Sequence, residues 1–155
     1  MAKKAAVLSA LIALVGLVLV ATVPFASAAK TRTLTFTTPQ NQEVANFVDT
    51  GKKGGSLGDY VVVHGPLHQQ GGVAGTFYAQ CTFVSLKTST AQCLITFKLA
   101  AGQITFQGVG VLERQGGPPV TIAVTGGTGA YQSARGQVNI RTVNKVDHFT
   151  VHLIL

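Results

Sequence analysis

Few side chains in this 155-residue chain have the type and placing that chemistry needs. Glu113 and Arg114 stand together just before a Gly-Gly-Pro-Pro turn, the one adjacent acid–base couple at the end of an apolar run; its ordinary role is a solvated corner. His64 and His68 lie close in sequence, and His148 and His152, four apart, fall on one face of an extended strand. Histidines without a carboxylate to orient them make a poor ligand set, so no metal is expected. Tyr78 offers a phenol, or else an outward tyrosine at an interface. Cys81 and Cys93 complete the inventory.

The glycine-rich stretch 120–138, VTIAVTGGTGAYQSARGQV, has two readings. An apolar run followed by TGGTG resembles a dinucleotide-binding turn, in which glycines bring the backbone close to a pyrophosphate at a helix start. Gln132 occupies the place of the third glycine, no acid in a suitable context follows about 20 residues on, and too little chain remains for repeated βαβ units. The structural reading is preferred: Gly126, Gly127 and Gly129 form a tight corner between two strands, and Gly136 lets the next strand bend. No cofactor is expected.

Residues 1–28 read as a secretory leader. Lys3 and Lys4 form a basic start, residues 5–20 an apolar run, and Ala26-Ser27-Ala28 after Pro24 a small-residue cleavage site. An uncleaved membrane anchor is the alternative. The expected mature protein is secreted, starts at Ala29 and makes no stable membrane insertion. About 127 residues then form one domain (29–155), enough to bury a core. The formal charge is +7, two units of which leave with Lys3 and Lys4. The remaining bases are scattered without interleaved aromatics, which argues against nucleic acid as a partner.

Charged residues make up only 11% of the chain, and no stretch after Ala29 sustains a helical apolar period. Alternation and turn residues instead predict eight strands: 32–38, 60–67, 73–84, 92–99, 104–112, 120–125, 134–142 and 145–155. Residues 40–58, polar and glycine-bearing, are expected as a loop. A hairpin centred on Lys87 would set Cys81 opposite Cys93, the geometry of a cross-strand disulfide, where a short loop contributes about 3 kcal/mol. The fold expected is all-β: eight antiparallel strands with short connections, closing into an antiparallel β-barrel whose interior holds one small ligand. Glu113 then lies near a barrel end.

Four segments carry a resemblance: SLGD at 56–59, VAG at 73–75, QITFQG at 103–108 and the TGGTG stretch. In this order and spacing the chain resembles the allene oxide cyclase and dirigent barrels over roughly residues 55–155. The resemblance implies an eight-stranded barrel, commonly a homotrimer, whose apolar cavity steers closure or coupling of a small molecule by shape and exclusion of water. In plant allene oxide cyclases a first-strand glutamate, a third-strand cysteine, an asparagine and a tyrosine serve the substrate. Here residues 35–38 hold no acid, and the other positions fall at Phe77, near Gly65 and near Gly110. The pocket aspartates of dirigent proteins have no clear counterpart among Asp49, Asp59 and Asp147.

The same alignment turns Val61 and Val63 inward and His64 outward. Val61, Val63, Phe77, Tyr78, Phe97, Ile104, Phe106 and Glu113 are therefore the candidate cavity residues, and the catalytic residues stay unassigned. Three roles compete. A cyclase or stereo-guiding protein needs polar groups converging in the cavity, whereas a binder of a small apolar or aromatic molecule needs an apolar lining. A structural or surface-interaction barrel would be filled by its own side chains, with Phe77, Phe97 and Phe106 meeting at the axis.

Overall fold

The computed structural model describes residues 29–112 and 117–155; the leader assigned to residues 1–28 and the Glu113-Arg114 couple lie outside the described residues. Nine strands follow one another: β1 (Thr31–Pro39), β2 (Val44–Val48), β3 (Tyr60–Gln69), β4 (Gly72–Ser85), β5 (Thr90–Leu99), β6 (Gly102–Val111), β7 (Val120–Gly127), β8 (Arg135–Val143) and β9 (Val146–Ile154). Neighbours pair antiparallel in the order β1-β9-β8-β7-β6-β5-β4-β3-β2, and a β1–β3 pairing at Thr37 and His68 closes the ring. The barrel thus has eight staves. β2 lies beyond β1 and pairs with the opposite end of β3, Val44 to His64 through Val48 to Tyr60.

That second strand corrects the loop expected over 40–58. Pro39 cannot continue a ladder as a donor, so the chain breaks there into a 3-10 turn, Gln40–Gln42, and then resumes extended pairing. The polar composition of 40–48 concealed this because only one edge of the short strand is paired and most of its side chains face water. The true loop is 49–59, and Asp59 organises it. Its fully buried carboxylate accepts from the backbone N–H of Thr50 (2.9 Å) and Ser56 (2.6 Å) and from both of their hydroxyls (3.2 and 2.9 Å). These bonds, the Thr50 backbone donor first, hold the Asp59 pKa below its ordinary value.

Alternation fills the barrel. Leu34 and Phe36, Phe77, Phe97, Ile104 and Phe106, Ile122 and Val124, Val138, and Phe149, Val151 and Leu153 all project inward and are buried. Five phenylalanines interlock at the axis: Phe97 stands 4.7 Å from Phe106, 5.3 Å from Phe149 and 5.6 Å from Phe36, and Phe77 stands 5.8 Å from Phe149 (centroid distances). Edge-to-face contacts of this kind add about 0.5–1.5 kcal/mol each beyond area burial. Cys81 and Cys93 are directly opposite in the β4–β5 ladder, their Cα atoms 4.0 Å apart, and are joined as a disulfide.

The glycine corner closes the end of the barrel below this aromatic plug. Thr128 N–H donates to Gln103 O (2.9 Å), Ala130 N–H to Ala101 O (2.8 Å), and the 3-10 turn Gly129–Tyr131 tucks Tyr131 into the core. Gly129 has φ +61°, as a corner glycine should. Gly127 is needed for a different reason: its φ is not positive, but a Cβ there would stand 2.5 Å from Tyr131 O and 2.6 Å from Gln103 O. No α-helix follows, so nothing remains of the dinucleotide reading.

Candidate functional site: an apolar cavity ending in a carboxyl pair

Above the plug the inward side chains become small. Ala79 on β4, the disulfide, Ile95 on β5, and Gly108 and Gly110 on β6 leave a cavity of about 200 Å³, closed below by Phe77 and Phe149 and flanked by Ile122 and Ile140. A cavity of about 150 Å³ lined by apolar side chains can hold benzene. This one suits a substituted ring or a compact pair of rings. Leu112 and Gly117, on either side of the undescribed residues, also line it.

Its polar groups gather at one end. Asp147 on β9 precedes Phe149, Val151 and Leu153 on the inward face, and its ladder partners, Thr38 on β1 and Thr142 on β8, face the same way. Thr142 Oγ1 donates to Asp147 Oδ1 at 2.6 Å, and Gln40 Nε2 reaches the same oxygen at 3.4 Å. Thr38 is instead engaged below, donating to Pro66 O at 2.6 Å.

Glu43 completes the group. The break at Pro39 turns it back over the barrel, and its stem rests against Gly65: a Cβ on that glycine would lie 3.2 Å from Glu43 Cγ and 3.0 Å from Phe77 Cε1. Glu43 Oε1 is buried and has no hydrogen-bond partner among the described residues. Burial first, then the charge of Asp147 and a hydrogen bond with it, push the Glu43 pKa up from 4.5 to about 8. At neutral pH Glu43 therefore keeps its proton at the wall of an apolar chamber. Paired carboxyls of this kind can donate and accept a proton at one place.

The candidates from sequence divide into four groups. Val63 and Phe77 line the cavity. Phe97, Ile104 and Phe106 face inward but belong to the plug beneath it, and Val61 lies inward opposite Cys81 and Phe47. Tyr78 is corrected: it lies on the outer face, 47% exposed and stacked on His64 at 5.9 Å, because its neighbours Phe77 and Ala79 take the inward register. Glu113 falls outside the described residues. The histidines lie outside the cavity: His68 (2.7 Å from Gln42) and His148 line one outer cleft, His64 stacks on Tyr78, and His152 meets Thr33 (3.4 Å). Among the described residues no three His, Cys, Asp or Glu side chains are grouped to hold a metal.

Glu43 and Asp147 were the residues that sequence reasoning missed. Asp147 had a usable signal, an acid in register with Phe149, Val151 and Leu153. Glu43 had none, because it follows a break in the alternation.

The family model for the allene oxide cyclase barrel-like domain matches residues 32–155. The chain belongs to this family. Among solved structures it is similar to a pyocyanin demethylase (25% identity, TM-score 0.64, covering 80% of this chain and 99% of that one). It is also similar to a pterocarpan synthase dirigent protein (17%, 0.63, 83% and 97%) and an exo-specific intermolecular Diels-Alderase (13%, 0.61, 82% and 98%). No curated protein matches the chain in sequence. At the lower identities the likeness is one of fold, and function has to be argued from the cavity.

Proposed function

We propose that this family member receives one small apolar or aromatic molecule in the cavity above the aromatic plug and guides its cyclisation, coupling or rearrangement. The observation that carries the reading is the convergence of Glu43 and Asp147 on one end of an otherwise apolar chamber. A pure binder has no use for a buried carboxyl with an unpartnered oxygen, which costs stability. A purely structural barrel would carry the aromatic filling through both halves.

The apolar walls hold the ligand body in one orientation and exclude water, which is where such a site gains its rate. The carboxyl pair meets the ligand's polar end, where Glu43 can give up or take back its one proton while Asp147 is held by Thr142 and Gln40. The similar demethylase, synthase and Diels-Alderase structures support this use of the barrel, since each is named for a transformation of a small molecule.

Native mass spectrometry after equilibration with a panel of one- and two-ring compounds tests the reading. A one-to-one adduct that is lost on unfolding, and blocked when Ala79→Phe fills the chamber, is the expected result. No adduct with any member of the panel would overturn it.

The mature chain is further proposed to be secreted after loss of residues 1–28, a reading supported by the bonded cysteine pair, since disulfides persist in oxidising compartments. It is also proposed to be trimeric, a reading supported by the exposed apolar side chains Tyr78, Leu94 and Val109 on adjacent strands. N-terminal sequencing of protein from the medium that still finds Lys3, or a monomer mass by light scattering, would remove the respective proposal.

A further inference from the structure

The buried atom left without a partner at the polar end of the cavity is an acceptor. The two side-chain groups that donate there, Thr142 Oγ1 and Gln40 Nε2, are both directed at Asp147 Oδ1, with one Gln40 N–H to spare. Thr38 Oγ1 is occupied by Pro66 O. What faces the chamber without a partner is oxygen: Glu43 Oε1, fully shielded from solvent, beside the Asp147 carboxyl. Among the described residues no Lys, Arg or His lines this cavity.

The bases nearest in the ladders do not face the pair. Arg141 and His148 lie one residue out of the inward register on β8 and β9, and His64 and His68 lie out of it on β3. Lys145 is exposed in the β8–β9 turn and contributes its backbone carbonyl to Gln40 N–H (2.9 Å). Two carboxyls are thus brought together against hydrocarbon, one of them with an oxygen that nothing among the described residues bonds.

From the unpartnered Glu43 oxygen and the Asp147 carboxyl beside it we infer that the cavity takes an apolar or aromatic molecule bearing one protonated nitrogen, whose N–H groups donate to Glu43 and Asp147. The inference rests on the cavity reading above and narrows it. A ligand ending in a carboxylate would meet like charge at close range. One ending in a bare carbonyl would leave the orphan oxygen without a donor. A cationic end satisfies the orphan oxygen and the Asp147 charge together, and its apolar remainder fits the space over Phe77 and Phe149.

Three probes built on one benzyl group separate the outcomes: benzylammonium, its uncharged analogue ethylbenzene, and phenylacetate, each titrated at pH 7.5 into the disulfide-intact mature protein and followed by NMR. The expected order is the ammonium bound about tenfold or more tightly than the hydrocarbon, with phenylacetate unbound. The preference should disappear in Glu43→Gln/Asp147→Asn, whose folding is read from the dispersion of the same spectra. Equal or tighter binding of the hydrocarbon, or any binding of phenylacetate in the cavity, overturns the inference while leaving the cavity reading intact. If none of the three binds, both fall. The comparison of probes on the unaltered protein decides the matter even if the double variant does not fold.

Discussion

Replacing Glu43 by glutamine should make the protein more stable in mild alkali and leave it unchanged in acid. The unfolded chain releases the Glu43 proton near pH 4.5, whereas the folded chain keeps it to about pH 8. Between those values the native state holds more protons than the unfolded state, so stability falls as pH rises and reaches its floor above pH 8. The side chain is only half-buried, so solvent screening reduces the nominal effect of the shift to about 2 kcal/mol. Glutamine keeps the shape and cannot ionise. At pH 9 the variant should therefore exceed the wild type by about 2 kcal/mol, and at pH 4.5 the two should agree within about 0.5 kcal/mol. Urea unfolding of the disulfide-intact proteins at pH 4.5, 6.5 and 9 measures the difference, with unchanged m-values confirming that only stability has moved. A difference constant across the three pH values would refute both the buried-acid assignment and the geometry that produces it.

Other changes test neighbouring parts of the structure. Asp147→Asn leaves the burial of Glu43 in place and removes the charge that raises its pKa further, so the Glu43 carboxyl resonance should titrate below pH 8; an unmoved midpoint would detach the two acids from each other. Asp59→Asn should loosen residues 49–58, seen as faster amide exchange there. Because the Asp59 pKa is depressed, its stabilisation is present above its ordinary value near 3.8 and lost as pH falls through the lower folded value; wild type and variant should therefore converge in strong acid. Phe97→Ala opens the centre of the plug and should cost about 3–5 kcal/mol in urea unfolding. Cys81→Ser/Cys93→Ser should cost about 3 kcal/mol by the same assay, the loop-closure value for a short loop.

The barrel was legible because its signals are local and repeated. Every stave but the first is bounded by a turn that the composition marks, and within a strand the inward residues alternate, as Ile104 with Phe106 and Phe149 with Val151 and Leu153. The register of Cys81 against Cys93 followed from counting outward from Lys87. The site was mostly illegible for the opposite reason. Its two acids stand 104 residues apart, one after the turn that follows β1 and one on β9, and they meet only when β1 seals against β9. Glu43 reaches the chamber through the irregular turn after Pro39, where period-two reasoning has nothing to count. Tyr78 shows the same limit from the other side: its chemistry suggested a role, and a one-residue step in register placed it on the exterior.

The placing of the cavity follows from how volume is distributed along the staves. Three of the candidates for a filled interior, Phe77, Phe97 and Phe106, do meet with Phe36 and Phe149, but they occupy one half of the barrel. In the other half β6 presents Gly108 and Gly110 where aromatic residues stand lower down, and β4 presents Ala79. The space is also not simply available for refilling at those glycines. A Cβ on Gly108 would collide with the Ile122 side chain, and one on Gly110 would press on Val120 Cγ1 at 3.1 Å, because β7 leans over β6 there. Plug and chamber are therefore complementary parts of one design. The phenylalanines supply burial that holds the barrel closed, which allows the glycine-lined half to remain open around a carboxyl pair whose burial costs stability.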